Sequence, residues 1–323
     1  MAKNPRTWAL EAKRELGLLF PCNPGTGYFT SGGSTMKPPL KVWDLGSTMP
    51  QIVDLYREET YQRLDEQALA LLFSIPIFLG NEEQMDFFAP EWLRKRLGRN
   101  DEGKTFSPCV SGLYVKKEDG KLQAFFRQKA GHVPAAPRQA LESLREGEAF
   151  ILICPERIEE CVGSTGAPLH LAFDKVLYHE LGHAFMDTAP APDEGWGRAL
   201  EESLANLWAL SHFRSSTERA WVLRIIGESL PEYRGAILLR NPRLWDYLLQ
   251  KGYPLNALSS SWIDVLGFNL SQISQDPSAL ISAWRRSKPL LRAEKPRKEL
   301  YEFWKVLGSA LLSWGEEQSW LGQ

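Results

Sequence analysis

Cysteine is scarce in this chain. Its 4 copies in 323 residues, Cys22, Cys109, Cys154 and Cys161, are too scattered to form a zinc ribbon or a dithiol redox pair from sequence neighbours. Histidine is nearly as rare, at 5. No apolar run approaches the roughly 20 residues a helix needs to cross a bilayer. The first residues, Met1 to Arg14, are charged and lack the apolar stretch of a secretory signal, which predicts a cytoplasmic protein with reduced thiols. An excess of one charge is missing too: 38 basic against 40 acidic residues give a net charge of -2, which makes no electrostatic case for nucleic acid or an anionic membrane. There is no internal repeat and no low-complexity tail. The Gly- and Pro-rich segment 21–40 lacks the Lys-Ser/Thr ending of a phosphate loop, so it reads as an irregular surface loop.

What remains is an ordinary globular composition, 43% hydrophobic and 24% charged. The 12 tryptophans, many in the C-terminal third, predict well-packed helices there. Residues 1–107 read as a helical and irregular cap. Ile52, Leu55, Tyr56, Leu64, Leu69 and Leu72 mark a helix over about 50–73, and a second helix is expected over 90–97. Leu113-Tyr114-Val115 and Leu122 to Phe126 flank Lys117-Glu118-Asp119-Gly120-Lys121, whose Asp-Gly predicts a β-hairpin. A short helix is expected over 137–145, and Ala149 to Ile153 is a compact apolar strand. Residues 216–323, punctuated by Pro231, Pro242, Pro254, Pro277 and Pro289, read as a helical subdomain packed as a bundle. The fold class expected is α+β.

Chemistry concentrates at Tyr178-His179-Glu180-Leu181-Gly182-His183. Two histidines four residues apart on a helix share one face and can grip one metal ion, while Glu180 can take a proton from water beside it. Leu171, Val176, Leu177, Leu181, Ala184 and Phe185 support a helix bounded by Pro168 and Pro190. Burying two imidazoles and a carboxylate without a metal is costly, which disfavours a merely structural role.

A third ligand must come from elsewhere. The glycine and histidine a metzincin would need at 186 and 189 are Met186 and Ala189. Cys161, the cysteine a deformylase-like site would call on, has no glycine-rich companion motif. Arg198 to Ala209 predicts a second helix with a core stripe of Leu200, Leu204, Leu207 and Trp208 and two glutamates, Glu201 and Glu202. Asp187, Asp193 and Glu194 in the intervening loop are further acidic candidates.

With Glu202 and Asn206 four residues apart on that helix, the chain resembles the gluzincin metallopeptidases. Over roughly residues 148–213 it is similar to their ImmA/IrrE group. The resemblance implies a zincin-like catalytic core over 108–215, a small mixed or antiparallel sheet packed on the His-Glu-x-x-His helix. It implies His179, His183 and Glu202 as Zn²⁺ ligands, with Asn206 hydrogen-bonded to a ligand histidine. Glu201 points about 100° away from Glu202 and is the weaker candidate. Glu180 is the implied general base. The second oxyanion donor would come from downstream, with Tyr233 first, then Tyr253, His212 and Tyr247. The function implied is an intracellular zinc endopeptidase with a regulatory protein or peptide substrate, taken along a sheet edge. The amine-binding Gly-x-Met-Glu-Asn motif of aminopeptidases is missing. The other reading is a non-catalytic metal-binding or protein-interaction module on the same fold.

Overall fold

β-Strands that are apolar at almost every position have to be covered on both faces, and two short runs here, Ile77-Phe78-Leu79 and Ala149-Phe150-Ile151-Leu152-Ile153, are of that kind. In the computed structural model, which describes residues 42–46, 58–96, 110–128, 133–241, 244–252, 278–293 and 298–318, they form the middle of a four-stranded sheet. The Gly- and Pro-rich segment 21–40, Cys22, Cys109 and Tyr253 lie outside the described residues.

The elements run β1 (Val42–Asp44), α1 (Glu58–Gln62), α2 (Glu66–Ser74), β2 (Ile77–Leu79), α3 (Glu82–Phe88), α4 (Glu91–Arg96), β3 (Gly112–Lys116), α5 (Asp119–Gln128), α6 (Ala135–Ser143), β4 (Ala149–Ile153), α7 (Pro155–Thr165) and α8 (Leu169–Met186). There follow α9 (Gly195–Ser211), α10 (Ser216–Gly227), α11 (Pro231–Leu239), α12 (Leu244–Gln250), α13 (Ser278–Leu291) and α14 (Lys298–Gln318). The architecture is α+β, mainly helical, with a mixed sheet. Its strand order is β1-β2-β4-β3, with β1, β2 and β4 parallel and β3 antiparallel at one edge. Two of the strands precede residue 108, so the sheet draws on the region read as a cap.

Alternation along the strands builds two cores. Ile77, Leu79, Ile151 and Ile153 face the larger one, with Leu177 and Leu181 of α8 and Leu204 of α9. Phe78, Phe150 and Leu152 face the smaller one, with Leu113, Val115, Phe88 and Phe125. Cys154 and Cys161 are buried thiols, neither of them in a disulfide. The larger core continues into the C-terminal bundle, where α9 packs on α11 and α14, and α13 lies against α8 and α9. The fully buried Trp284 and Trp304 meet edge to face, 5.0 Å between centroids, in keeping with the tryptophan-rich packing expected there.

The hairpin expected around Asp119-Gly120 is absent. β3 pairs with β4 instead, in the register Gly112 to Ile153 and Lys116 to Ala149. Residues 119–128 are helical, burying Leu122, Phe125 and Phe126. Their spacing of three and four is helical, and Asp119 opens the first turn, where a carboxylate favours the helix dipole. The helix expected over 50–73 is two within the described residues, split at Asp65, whose carboxylate accepts the Ala68 amide at 2.8 Å as an N-cap.

α8 is fastened on both flanks. On one side Asp174 accepts from Thr60 at 2.8 Å and from Arg63 at 2.5 Å, Arg63 also reaches Glu218 at 2.6 Å, and Tyr178 donates to the Thr60 carbonyl at 2.6 Å. On the other, Gly182 meets α9: a Cβ there would stand 3.1 Å from both Cα and O of Ala205. Among the described residues no helix is long and apolar enough to cross a membrane.

Candidate metal centre

The helical repeat brings His179 and His183 to one face of α8, their rings edge to face at 4.7 Å. α9 brings Glu202 against both. Its Oε2 lies 3.1 Å from Nε2 of His179 and 3.2 Å from Nε2 of His183, and the two Nε2 atoms are 3.2 Å apart. A tetrahedral ion with bonds of about 2.05 Å separates its donors by about 3.3 Å, so this triangle fits one. Two ring nitrogens and a carboxylate oxygen turned on one point cannot all satisfy each other with hydrogen bonds, whereas a cation meets three lone pairs at once. Among the described residues, this is the group of His, Cys, Asp and Glu close enough to hold a metal ion.

The electrostatics of the three side chains are those of trapped opposite charges. Burial keeps His179 neutral, its pKa lowered to about 3. His183 goes the other way: burial opposes its charge, but Glu202 and Glu201 outweigh it and hold the imidazole protonated well above its usual range. Glu202 is correspondingly held low by His183 and His179 against the push of burial.

Glu201, the weaker candidate as ligand, serves from behind. Its Oε1 is 4.0 Å from Nδ1 of His183, Lys288 donates to it at 3.0 Å, and Trp284 donates through its indole N–H. Both partners come from α13, more than eighty residues downstream, where no local pattern announces them. A carboxylate on the far nitrogen orients a metal-binding imidazole and raises its basicity.

Asn206 departs from the expectation. Its Nδ2 donates to the Tyr233 carbonyl at 3.1 Å, not to a histidine, and its Oδ1 has no hydrogen-bond partner, nor has Nδ1 of His179. Ser203 donates to the Glu232 carbonyl at 3.1 Å. These two α9 side chains thus hold the first turn of α11, which has Pro231 at its start. The result is Tyr233 against His179, ring centroids 5.6 Å apart.

Of the other tyrosine and histidine candidates, His212 stacks edge to face on Tyr178 and Trp208, away from the triangle, and Tyr247 lies under Lys251. None of the loop acids belongs to the candidate metal group, and the carboxylates of Asp187 and Glu194 are engaged elsewhere. Asp187 accepts from Tyr114 at 2.7 Å and pairs with Lys116 at 2.8 Å, Glu194 accepts from Tyr301 at 3.0 Å, and the Asp193 carbonyl accepts from Arg198.

Glu180 is tucked against β3. A Cβ on Gly112 would come within 2.6 Å of its Oε1, and the Tyr114 backbone amide bonds to the carboxylate. Burial raises its pKa to about 7, with the Glu202 charge adding to the rise and His183 and Lys175 opposing it. A carboxylate poised there can accept a proton near neutral pH. The motif signalled Glu180, but nothing local signalled Gly112, since the register that brings it over α8 is a long-range property of the sheet. No protein family, curated protein or solved structure matches the chain.

Proposed function

We propose that this protein is a zinc-dependent peptidase with the core of the zincins, acting on a protein or peptide substrate. The observation that carries the reading is the convergence of His179, His183 and Glu202 on one point, 3.1 to 3.2 Å apart, with the neighbouring Glu180 left out of the triangle. Two imidazoles and one carboxylate are the donor set of catalytic zinc with an open fourth position. Zinc bound there supplies Lewis acidity to water and to the scissile carbonyl.

The chain's own groups do the rest. Glu180 accepts a proton from the attacking water as its oxygen bonds to the carbonyl carbon, and passes that proton to the nitrogen as the C–N bond breaks. Tyr233, whose ring lies on His179, is the donor we assign to the oxyanion: its buried phenol keeps its proton far above the usual range, burial and the Glu202 and Glu180 charges all acting in that direction. Among the described residues β3 is an edge strand, and its outward backbone groups other than the Tyr114 amide, which Glu180 takes, could pair with an extended peptide.

The test is metal analysis with a peptide-cleavage assay on the purified full chain. Stoichiometric zinc lost in His179→Ala, and cleavage lost with zinc kept in Glu180→Gln, are the expected results. Protein without zinc whose metal content is indifferent to His179 would end the proposal.

A further inference from the structure

Lys288 is a buried cation in a part of the chain that no metal motif marks. It is 2% exposed, on α13, and its Nζ donates to Oε1 of Glu201 at 3.0 Å. Trp284, fully buried one helical turn earlier on the same face, donates its indole N–H to Oε2 of the same carboxylate. Each oxygen of Glu201 is thus held by a donor from one helix. A buried ion pair is by itself weak evidence for stability, because taking two charges out of water offsets much of their attraction. The use of this one lies in its place. Oε1 of Glu201 stands 4.0 Å from Nδ1 of His183, too far for a hydrogen bond and near enough to act on the ring electrostatically.

α13 is itself fastened to the exit of α8. Pro289, inside α13, has no N–H to give the Arg285 carbonyl four residues back. Thr188, two residues past the end of α8, fills that role from outside, donating its hydroxyl to the carbonyl at 2.7 Å. The Arg285 guanidinium lies over the Phe185 ring of α8, 4.8 Å from its centroid, and Arg292 donates to the Ala191 carbonyl at 2.8 Å. Lys288 therefore meets Glu201 from a helix tied to the one that carries both histidines. We infer that Lys288 is a positioning residue for the metal site: with Trp284 it sets how far the Glu201 carboxylate stands from Nδ1 of His183, and so keeps Nε2 of that imidazole turned toward His179 and Glu202. The inference rests on the metal-binding part of the reading above.

The test needs no turnover. Zinc affinity of the full chain is measured at neutral pH by competition with a chromophoric chelator, for the wild type and Lys288→Met, and again for both on a Glu201→Gln background. Lys288→Met is expected to weaken zinc binding about tenfold or more where Glu201 is present, and less than about threefold where it is replaced. A residue that acts through Glu201 has nothing to act on once that carboxylate is gone. Loading with Co²⁺ adds a signature that a change in stability alone leaves in place. Its visible bands, set by ligand geometry, are expected to shift on Lys288→Met with Glu201 present and to stay put on the Glu201→Gln background.

Equal losses on both backgrounds, no loss on either, or Co²⁺ bands that Lys288→Met does not move overturn the inference and leave the peptidase reading standing. A wild type that binds neither ion overturns the metal reading, and the inference with it. Should Lys288→Met fail to fold by its melting curve, Lys288→Gln takes its place on both backgrounds.

Discussion

Nζ of Lys288 lies 3.0 Å from Oε1 of Glu201, the residue immediately before the carboxylate that faces both histidines. Through that bond α13 comes up behind Glu201, whose Oε1 is 4.0 Å from Nδ1 of His183, so the surroundings of the candidate metal site extend beyond the two helices that carry it. Glu201→Gln should lower zinc affinity about 10- to 100-fold. Competition with a chromophoric chelator measures it, with Glu202→Gln as the variant that loses zinc altogether.

Zinc binding should release a proton. Metal-free, His183 keeps its proton above the usual range because Glu202 and Glu201 outweigh burial. A folded-state pKa raised above the unfolded value contributes stability that is full below the unfolded pKa and is lost as pH rises through the folded one. The metal-free protein should therefore lose stability as pH rises above about 6.5, and zinc affinity should climb over the same interval as the proton becomes easier to displace. Titration calorimetry in buffers of different ionisation enthalpy gives the proton count. A count of zero would mean that His183 is already neutral.

Gly112→Ala should separate catalysis from metal binding. The added Cβ would fall 2.6 Å from Oε1 of Glu180 but adds nothing at the triangle. Displacing a proton-transfer group by about 1 Å costs on the order of 10²-fold in rate. Zinc content should stay at wild-type level while kcat/KM falls by that amount.

Tyr233→Phe removes one hydroxyl and leaves the ring on His179 in place. If that phenol supports the oxyanion, kcat should fall about 10² to 10³-fold with little change in KM. An unchanged kcat would return Tyr233 to a packing role.

On the opposite flank of α8, burial lifts Asp174 to about 7 even though Thr60 and Arg63 bond to it. Its contribution is full below about pH 4 and is lost as pH rises through 7. In zinc-loaded protein, where His183 no longer titrates, Asp174→Asn should flatten the dependence of the unfolding midpoint on pH across that span. Denaturant melts at several pH values are the measurement.

The histidine pair could be read in the sequence because its geometry is local, whereas Glu202 was reached through the resemblance. The four-position step from His179 to His183 fixes their shared face wherever a helix forms, and Leu200, Leu204 and Leu207 mark the core face of the helix that carries Glu202. What escaped depends on partners far along the chain. Asn206 had been assigned to a histidine by resemblance, yet it turns to the Tyr233 carbonyl because α11 packs directly on α9. The Asp119-Gly120 turn misled because a dipeptide that can close a hairpin can also open a helix, and the choice falls to Leu122, Phe125 and Phe126 finding the smaller core. Nothing in the sequence marked Lys175 as buried, since its burial arises only when the layers assemble.

Gly182 bears on the spacing of the candidate metal site. Where α8 and α9 touch backbone to backbone, the span between the imidazoles and the opposing carboxylate is fixed by the absence of a methyl group, as the thickness of a shim fixes the gap of a vice. A larger residue there would press on α9 at Ala205 and Trp208, so the spacing of the candidate site depends on a position that is not part of it.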